Sequence, residues 1–130
     1  MEQQIFKIPK EYQFLINQIF EIENKVKDIQ ETNSIQRNID RLKTFFESEF
    51  AKDGSGFVYH NPKGESYDET RIDCEANISG TSTENLEIVD VIRPIIIYKY
   101  KSIDPVTSQE ITKPFIVQKA IVIVKSKNSQ

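Results

Sequence analysis

The sequence has one cysteine, one histidine and no tryptophan. A single cysteine excludes an internal disulfide and fits a reducing compartment. A single histidine, His60, leaves no zinc-ligand spacing and no nucleophile–base motif. Positive charge is not in excess: 17 Lys and Arg stand against 20 Asp and Glu, a net charge of −3. Phosphate binding needs clustered cations, so the charge argues against nucleic acid as the main partner. No apolar run approaches the roughly 18 residues of a membrane span. Met1-Glu-Gln-Gln has neither the basic start nor the apolar stretch of a signal peptide. The expected setting is cytoplasmic, without membrane or nucleic acid.

What is present begins with a long apolar stripe. Ile8, Tyr12, Leu15, Ile19, Ile22, Val26 and Ile29 follow one another by alternating steps of four and three residues, the spacing of a helix that faces another helix. Phe14, Ile16 and Phe20 widen the stripe, which favours a bundle or a bundle-like dimer over a two-stranded coil. Leu15, Ile19, Ile22, Val26 and Ile29 are the expected dimerisation residues. Pro9 suits the first turn, so the first helix is expected from about Pro9 to Glu31. Thr32-Asn-Ser interrupts it, with Asn33 or Ser34 as the cap of a second helix from Ile35 to about Ala51. That helix repeats Ile35, Ile39, Leu42, Phe45, Phe46 and Phe50 on one side. A short link between amphipathic helices predicts an antiparallel hairpin, to be covered by the rest of the chain or by a second copy.

Gly54 and Gly56 end the helical half, and the apolar period changes to two. Strands are expected at Phe57–His60, Arg71–Ile78, Leu86–Ile92, Ile95–Tyr100 and Phe115–Lys125, with a break at Pro94 and a long hairpin connection over 103–111. Ile72, Cys74, Ala76 and Ile78 share one face of their strand. Helices followed by strands predict an α+β fold, with a helical hairpin bundle over 1–52 and a small, mostly antiparallel β domain of short strands over 53–130.

Chemistry finds little to work with. His60 reads as a surface residue beside a turn, and Cys74 as a buried, inert thiol. Asp68, Glu69, Asp73 and Glu75 form an acidic run without calcium-loop spacing, which reads as a solvated face. Gly54-Ser-Gly56 lacks the length and the Lys-Ser ending of a phosphate loop. No metal site, no cofactor and no enzyme activity are expected. Surplus large apolar residues in the strands, Ile92 and Val124 among them, are either core or a docking patch.

Three local patterns carry a resemblance. Gly56 leads, after the last bundle helix, to Tyr67-Asp68. Ile88-Val-Asp-Val-Ile-Arg93 forms one strand, and Lys119-Ala-Ile-Val-Ile-Val-Lys125 closes the chain. Over most of residues 12–127 the chain resembles the C-terminal two-thirds of GrpE, the nucleotide-exchange factor of DnaK-type chaperones. Departures are a histidine of the family at Ile72, its Gly-Tyr at Ile95-Ile96, its arginine at Gln118, extra residues at 104–110, and no counterpart of the long N-terminal helices. The resemblance implies a homodimeric co-chaperone that binds a DnaK-type ATPase domain and speeds ADP release. It implies contacts at Ile92, Arg93, Gln118, Lys119 and Val124, and Gly56 as the hinge or corner between the two parts. The alternative is a dimeric structural or adaptor protein that assembles through its helices and binds another protein through its β domain.

Overall fold

The structure, a computed structural model, describes residues 7–29 and 33–127. The N-terminal arm before Lys7, the break at Thr32, the capping side chain of Asn33 and the tail after Lys127 lie outside the described residues; the first helix, expected to reach about Glu31, stops at Val26, and Lys27 and Asp28 form a turn. Helix α1 spans Lys10–Val26 and starts at Pro9, whose carbonyl accepts from Tyr12 N at 3.1 Å. Glu11 in its first turn and Lys25 in its last complement the helix dipole. Helix α2 spans Asn33–Thr44 and widens into a π-helical turn over Phe45–Glu49. Among the described residues seven strands follow: β1 Gly56–His60, β2 Ser66–Tyr67, β3 Cys74–Ile78, β4 Leu86–Arg93, β5 Ile95–Ile103, β6 Glu110–Gln118 and β7 Ala120–Ser126. The fold is α+β, two helices followed by two sheets of short strands.

One long ribbon makes both sheets. β4 pairs with β7, and β5 with β6, all antiparallel. Only Pro94 separates β4 from β5, and only Lys119 separates β6 from β7. The two arms therefore change sheet together. Pro94 causes the break, because it has a fixed φ and no N–H for the ladder. Bulges between Ile88 and Asp90, Val91 and Arg93, and Ile96 and Ile97 shift the register and add the twist that lets a ribbon turn a corner. β1 joins the β5 edge, giving the order β1-β5-β6; β2 and β3 complete β2-β4-β7-β3, with β3 parallel to β7. The single strand expected over Phe115–Lys125 is thus two strands in different sheets.

The core has two parts, and α1 serves both. Phe20 packs with Ile88, Ile95, Val122 and Val124. Ile16, Ile19 and Val26 pack with Ile39, Phe46, Phe57 and Ile96, so the helices lie on the three-stranded sheet. The heptad stripe is split by this packing. Ile19 and Val26 are buried within the chain, while Leu15, Ile22 and Ile29 stand about half exposed. At about 100° per residue Ile16 and Phe20 lie on the Ile19 side of the stripe, so the buried face is centred there and Leu15, Ile22 and Ile29 fall at its margin. Ile72 was expected on a buried face and is 74% exposed. The strand starts at Cys74, and the segment before it, where Arg71 N bonds to Asp68 O, is a turn.

Gly56 joins the helical and β parts. A Cβ there would lie 2.2 Å from the Glu47 carbonyl oxygen and 2.3 Å from that of Phe46. Strand backbone therefore rests directly on the π turn. The approach is tied down on both sides. Asp53 accepts from Ser55 N at 2.9 Å and Ser55 Oγ at 2.6 Å, and the Tyr98 hydroxyl lies 3.2 Å from that same Oγ. Phe50 packs edge-on to Tyr12 and Phe57, with ring centroids 4.9 and 5.4 Å away.

Candidate functional site

The ribbon's corner is also where α1 crosses it. Gln118 ends β6 and holds the crossing. Its Nε2 donates to Asn17 Oδ1 at 2.9 Å and to the Pro94 carbonyl at 2.9 Å, and its Oε1 accepts from Asn17 Nδ2 at 3.0 Å. This amide pair fixes the helix to both arms at the level where they change sheet. Above it, Phe14, Asn17, Gln18 and Glu21 on one side of α1 face Ile92 and Arg93 at the end of β4 across an open groove of about 260 Å³. Phe14 is 62% exposed and Ile92 53%. The groove thus sets two large, exposed apolar side chains beside the charges of Arg93 and Glu21.

Of the residues expected to contact a partner, Ile92 and Arg93 come together in this groove, Gln118 lies beneath it, and Lys119 is exposed at the adjoining corner. Val124 does not join them. It is 0% exposed, in the middle of β7 between Ile88 and Ile78. The resemblance made it a candidate contact, but its sheet face is the covered one. Phe14, Asn17 and Glu21 were missed as site residues. The signal was Phe14 itself, an aromatic residue about 100° around the helix from Leu15 and off the heptad stripe.

A second polar cluster lies under the helices. The Tyr59 hydroxyl donates to Glu23 Oε1 at 2.6 Å, Gln36 Nε2 donates to Glu23 Oε2 at 3.1 Å, and Lys43 Nζ sits 3.4 Å from that oxygen. Burial pushes the Glu23 carboxyl up, but the bonds from Tyr59 and Gln36 and the charge of Lys43 outweigh it and hold the group below its ordinary value. Burial, followed by the bond to Glu23, pushes the Tyr59 phenol up. A depressed carboxyl stabilises the fold above its unfolded-state value, and that stability disappears as pH falls through the folded-state value. Tyr59→Phe is expected to cost about 1–2 kcal/mol at neutral pH. The gap to wild type should narrow as pH falls from the ordinary carboxyl value of 4.5 through the lower folded-state value of Glu23. Urea midpoints at neutral and acid pH read this directly; a gap that stays constant would assign the loss to packing.

The reactive groups are each engaged or shielded. Burial pushes the Cys74 thiol up to about 11, so it is protonated at neutral pH. The His60 ring bonds to Glu65, which also pairs with Arg71 at 3.1 Å. Arg71 Nε and Nη2 reach the two oxygens of Asp73 at 2.8 and 3.2 Å, so this part of the acidic run is a paired structural element and not a free face. Among the described residues no three His, Cys, Asp or Glu side chains stand together as a metal site, and no helix is long and apolar enough to cross a membrane.

No family model matches the chain, and no curated protein and no solved structure matches it.

Proposed function

We propose that this chain acts by binding, not by chemistry, and that its partner is the nucleotide-binding domain of a DnaK-type chaperone, whose ADP release it promotes in the cytoplasm. The observation that carries the binding part is the groove in which Phe14, Ile92 and Arg93 are held exposed around a rigid corner. The choice of partner rests on the order of helices then strands, on Gly56 at their junction, and on the resemblance at 56–68, 88–93 and 119–125. In this reading Ile92, Arg93 and Lys119 touch the chaperone, while Gln118, standing where the family has arginine, positions α1 instead. The mechanism is a population shift. Binding the open nucleotide cleft more tightly than the closed one moves the chaperone toward the open form by that ratio of affinities. The test is ADP release from a DnaK-type chaperone of the same cell, loaded with labelled nucleotide. Wild type is expected to speed release and the double variant Ile92→Asp/Arg93→Glu to lose at least about tenfold of that effect, which is 1.4 kcal/mol of coupling. Unchanged release with wild type overturns the proposal.

A second reading, a dimeric adaptor, is favoured by a different surface. The Glu23–Gln36–Lys43 cluster closes the side of the helix pair that faces Tyr59 of β1. A second flank, about 100° around each helix, carries Leu15, Ile22 and Ile29 on α1 and Ile35 and Leu42 on α2, all exposed. In this reading the helices form a hairpin and two hairpins pack flank to flank, leaving the groove free for another protein. Sedimentation equilibrium at micromolar concentration is expected to give a dimer mass; a monomer mass overturns it.

A further inference from the structure

Sheet edges are where a chain is open to pairing with another chain. The two sheets here have four edges, β1, β6, β2 and β3. β1 rests on the π turn at Gly56. β2 is two residues long. β6 carries Lys113 and Pro114, with Lys119 just beyond its end, the residues that blunt an edge. β3 has five residues and contains neither proline nor lysine.

Among the described residues no strand pairs with the outer side of β3. Ala120 N donates to Asp73 O at 2.9 Å, and Ser79 N donates to Val124 O at 2.8 Å. Alternate residues turn their N–H and C=O the same way along a strand. Asp73, Glu75, Asn77 and Ser79 thus face β7, and Cys74, Ala76 and Ile78 direct theirs outward. On the adjoining sheet face, Ala76 and Ile78 line a cleft of about 480 Å³ with Tyr67 and Leu86, rimmed by Asp68 and Glu69. The hydroxyl and amide of Thr70 hold Asp68 below the usual carboxylate range, so that carboxylate stays charged at neutral pH. Glu75 is exposed on the opposite sheet face.

We propose that β3 is a strand-docking edge, and that it accepts an extended segment of a partner protein with apolar residues at alternate positions and Lys or Arg between them. The segment adds a fifth strand to the β2-β4-β7-β3 sheet. Main-chain bonds to Ala76 and Ile78 supply affinity, and the alternating side chains supply specificity. Apolar residues enter the cleft beside Ile78, the cations stand across from Glu75, and a flanking cation meets Asp68 and Glu69. A second copy of this chain is the poorer occupant, because it brings a second Glu75 and a second acidic rim to the same edge.

The probe is a fluorescein-labelled peptide of about ten residues alternating valine and lysine, long enough to span a strand, with a valine–glutamate peptide as control. Anisotropy is expected to saturate with a Kd on the order of micromolar. Binding should weaken at least tenfold in Ala76→Pro, about tenfold in Glu75→Gln/Asp68→Asn, and in proportion to added salt. Proline is tolerated on an edge whose N–H carries no ladder bond, and circular dichroism checks that the variant folds. Slower hydrogen exchange at Ala76 and Ile78 of the wild-type chain on peptide addition gives the same answer without any variant. Equal binding of the glutamate peptide, binding unaffected by Ala76→Pro in a folded variant, or no anisotropy change overturns the proposal. So does self-association of the unliganded chain that Ala76→Pro abolishes, since the edge would then be an interface between copies.

Discussion

Gly56→Ala is expected to cost about 3 kcal/mol or more, at the top of the range for forcing extra atoms into a packed interior, and to lower Tm by on the order of 10 °C. The added carbon would stand 2.2 Å from the Glu47 carbonyl oxygen and 2.6 Å from its carbonyl carbon. These are backbone atoms in a turn that cannot swing aside as a side-chain tip would. The π turn must move off β1, and it carries Phe46, which packs with Ile16, Ile19 and Phe57 in the core beneath the helices. Gly80→Ala is the control. Gly80 has φ +95° and no atom within 4 Å of an added carbon, so only the backbone preference is lost, about 1–2 kcal/mol. A Gly56 variant no less stable than the Gly80 variant would mean that the π turn is free to shift, and that the junction is a hinge. The close approach predicts the opposite, a fixed corner.

The position of this corner was legible in the sequence, though its cause was not. The change of apolar period after Gly54 and Gly56 marks the end of the helices, because helix and strand place apolar residues on one face at different spacings. The π turn over Phe45–Glu49 leaves no such trace. Phe45, Phe46 and Phe50 fit a normal helical stripe as well as the widened one, where their rings pack on each other at 5.5 to 6.3 Å. The break at Lys119 is equally silent in its own neighbourhood, since the residues around it are a continuous β-branched run. Its signal lay on the partner arm. Pro94 falls between the pairs Arg93–Ile121 and Ile96–Gln118, so the proline that ends β4 also ends β6. A strand's limits are set by its neighbour's hydrogen bonds as much as by its own sequence.

The groove shows the same division. Ile92, Arg93 and Gln118 were implied as contacts by the resemblance, and they lie close together in space. Phe14 and Asn17 join them only because α1 crosses the corner at that level, which no local spacing encodes. The heptad stripe was real as a pattern and split in use: its even spacing does not say which half a sheet will cover. Ile19 and Val26 went to the core, and Leu15, Ile22 and Ile29 remained outside.

Val124→Asp is expected to unfold the protein or cost more than about 4 kcal/mol, whereas Ile92→Asp should change stability by no more than about 0.5 kcal/mol. Both residues were candidates for the same surface, and the contrast separates them. Val124 is fully buried, packed with Ile88, Val122 and Phe20. A carboxylate there has no cation to pair with in that cluster, and burying it unpaired is among the largest penalties one substitution can impose. Ile92 faces the open groove, where a carboxylate keeps its water and stands beside Arg93. Val124→Ala, a milder change, should cost about 2 kcal/mol through lost packing alone. Urea denaturation of the three variants measures this order. If Val124→Asp proved as stable as Ile92→Asp, the closed face of β7 would have to be open in solution, and Val124 would return to the contact surface. The order also decides how partner binding is read. A folded Ile92→Asp that loses its partner locates the contact in the groove, but the same loss in Val124→Asp reports only that the sheet has come apart.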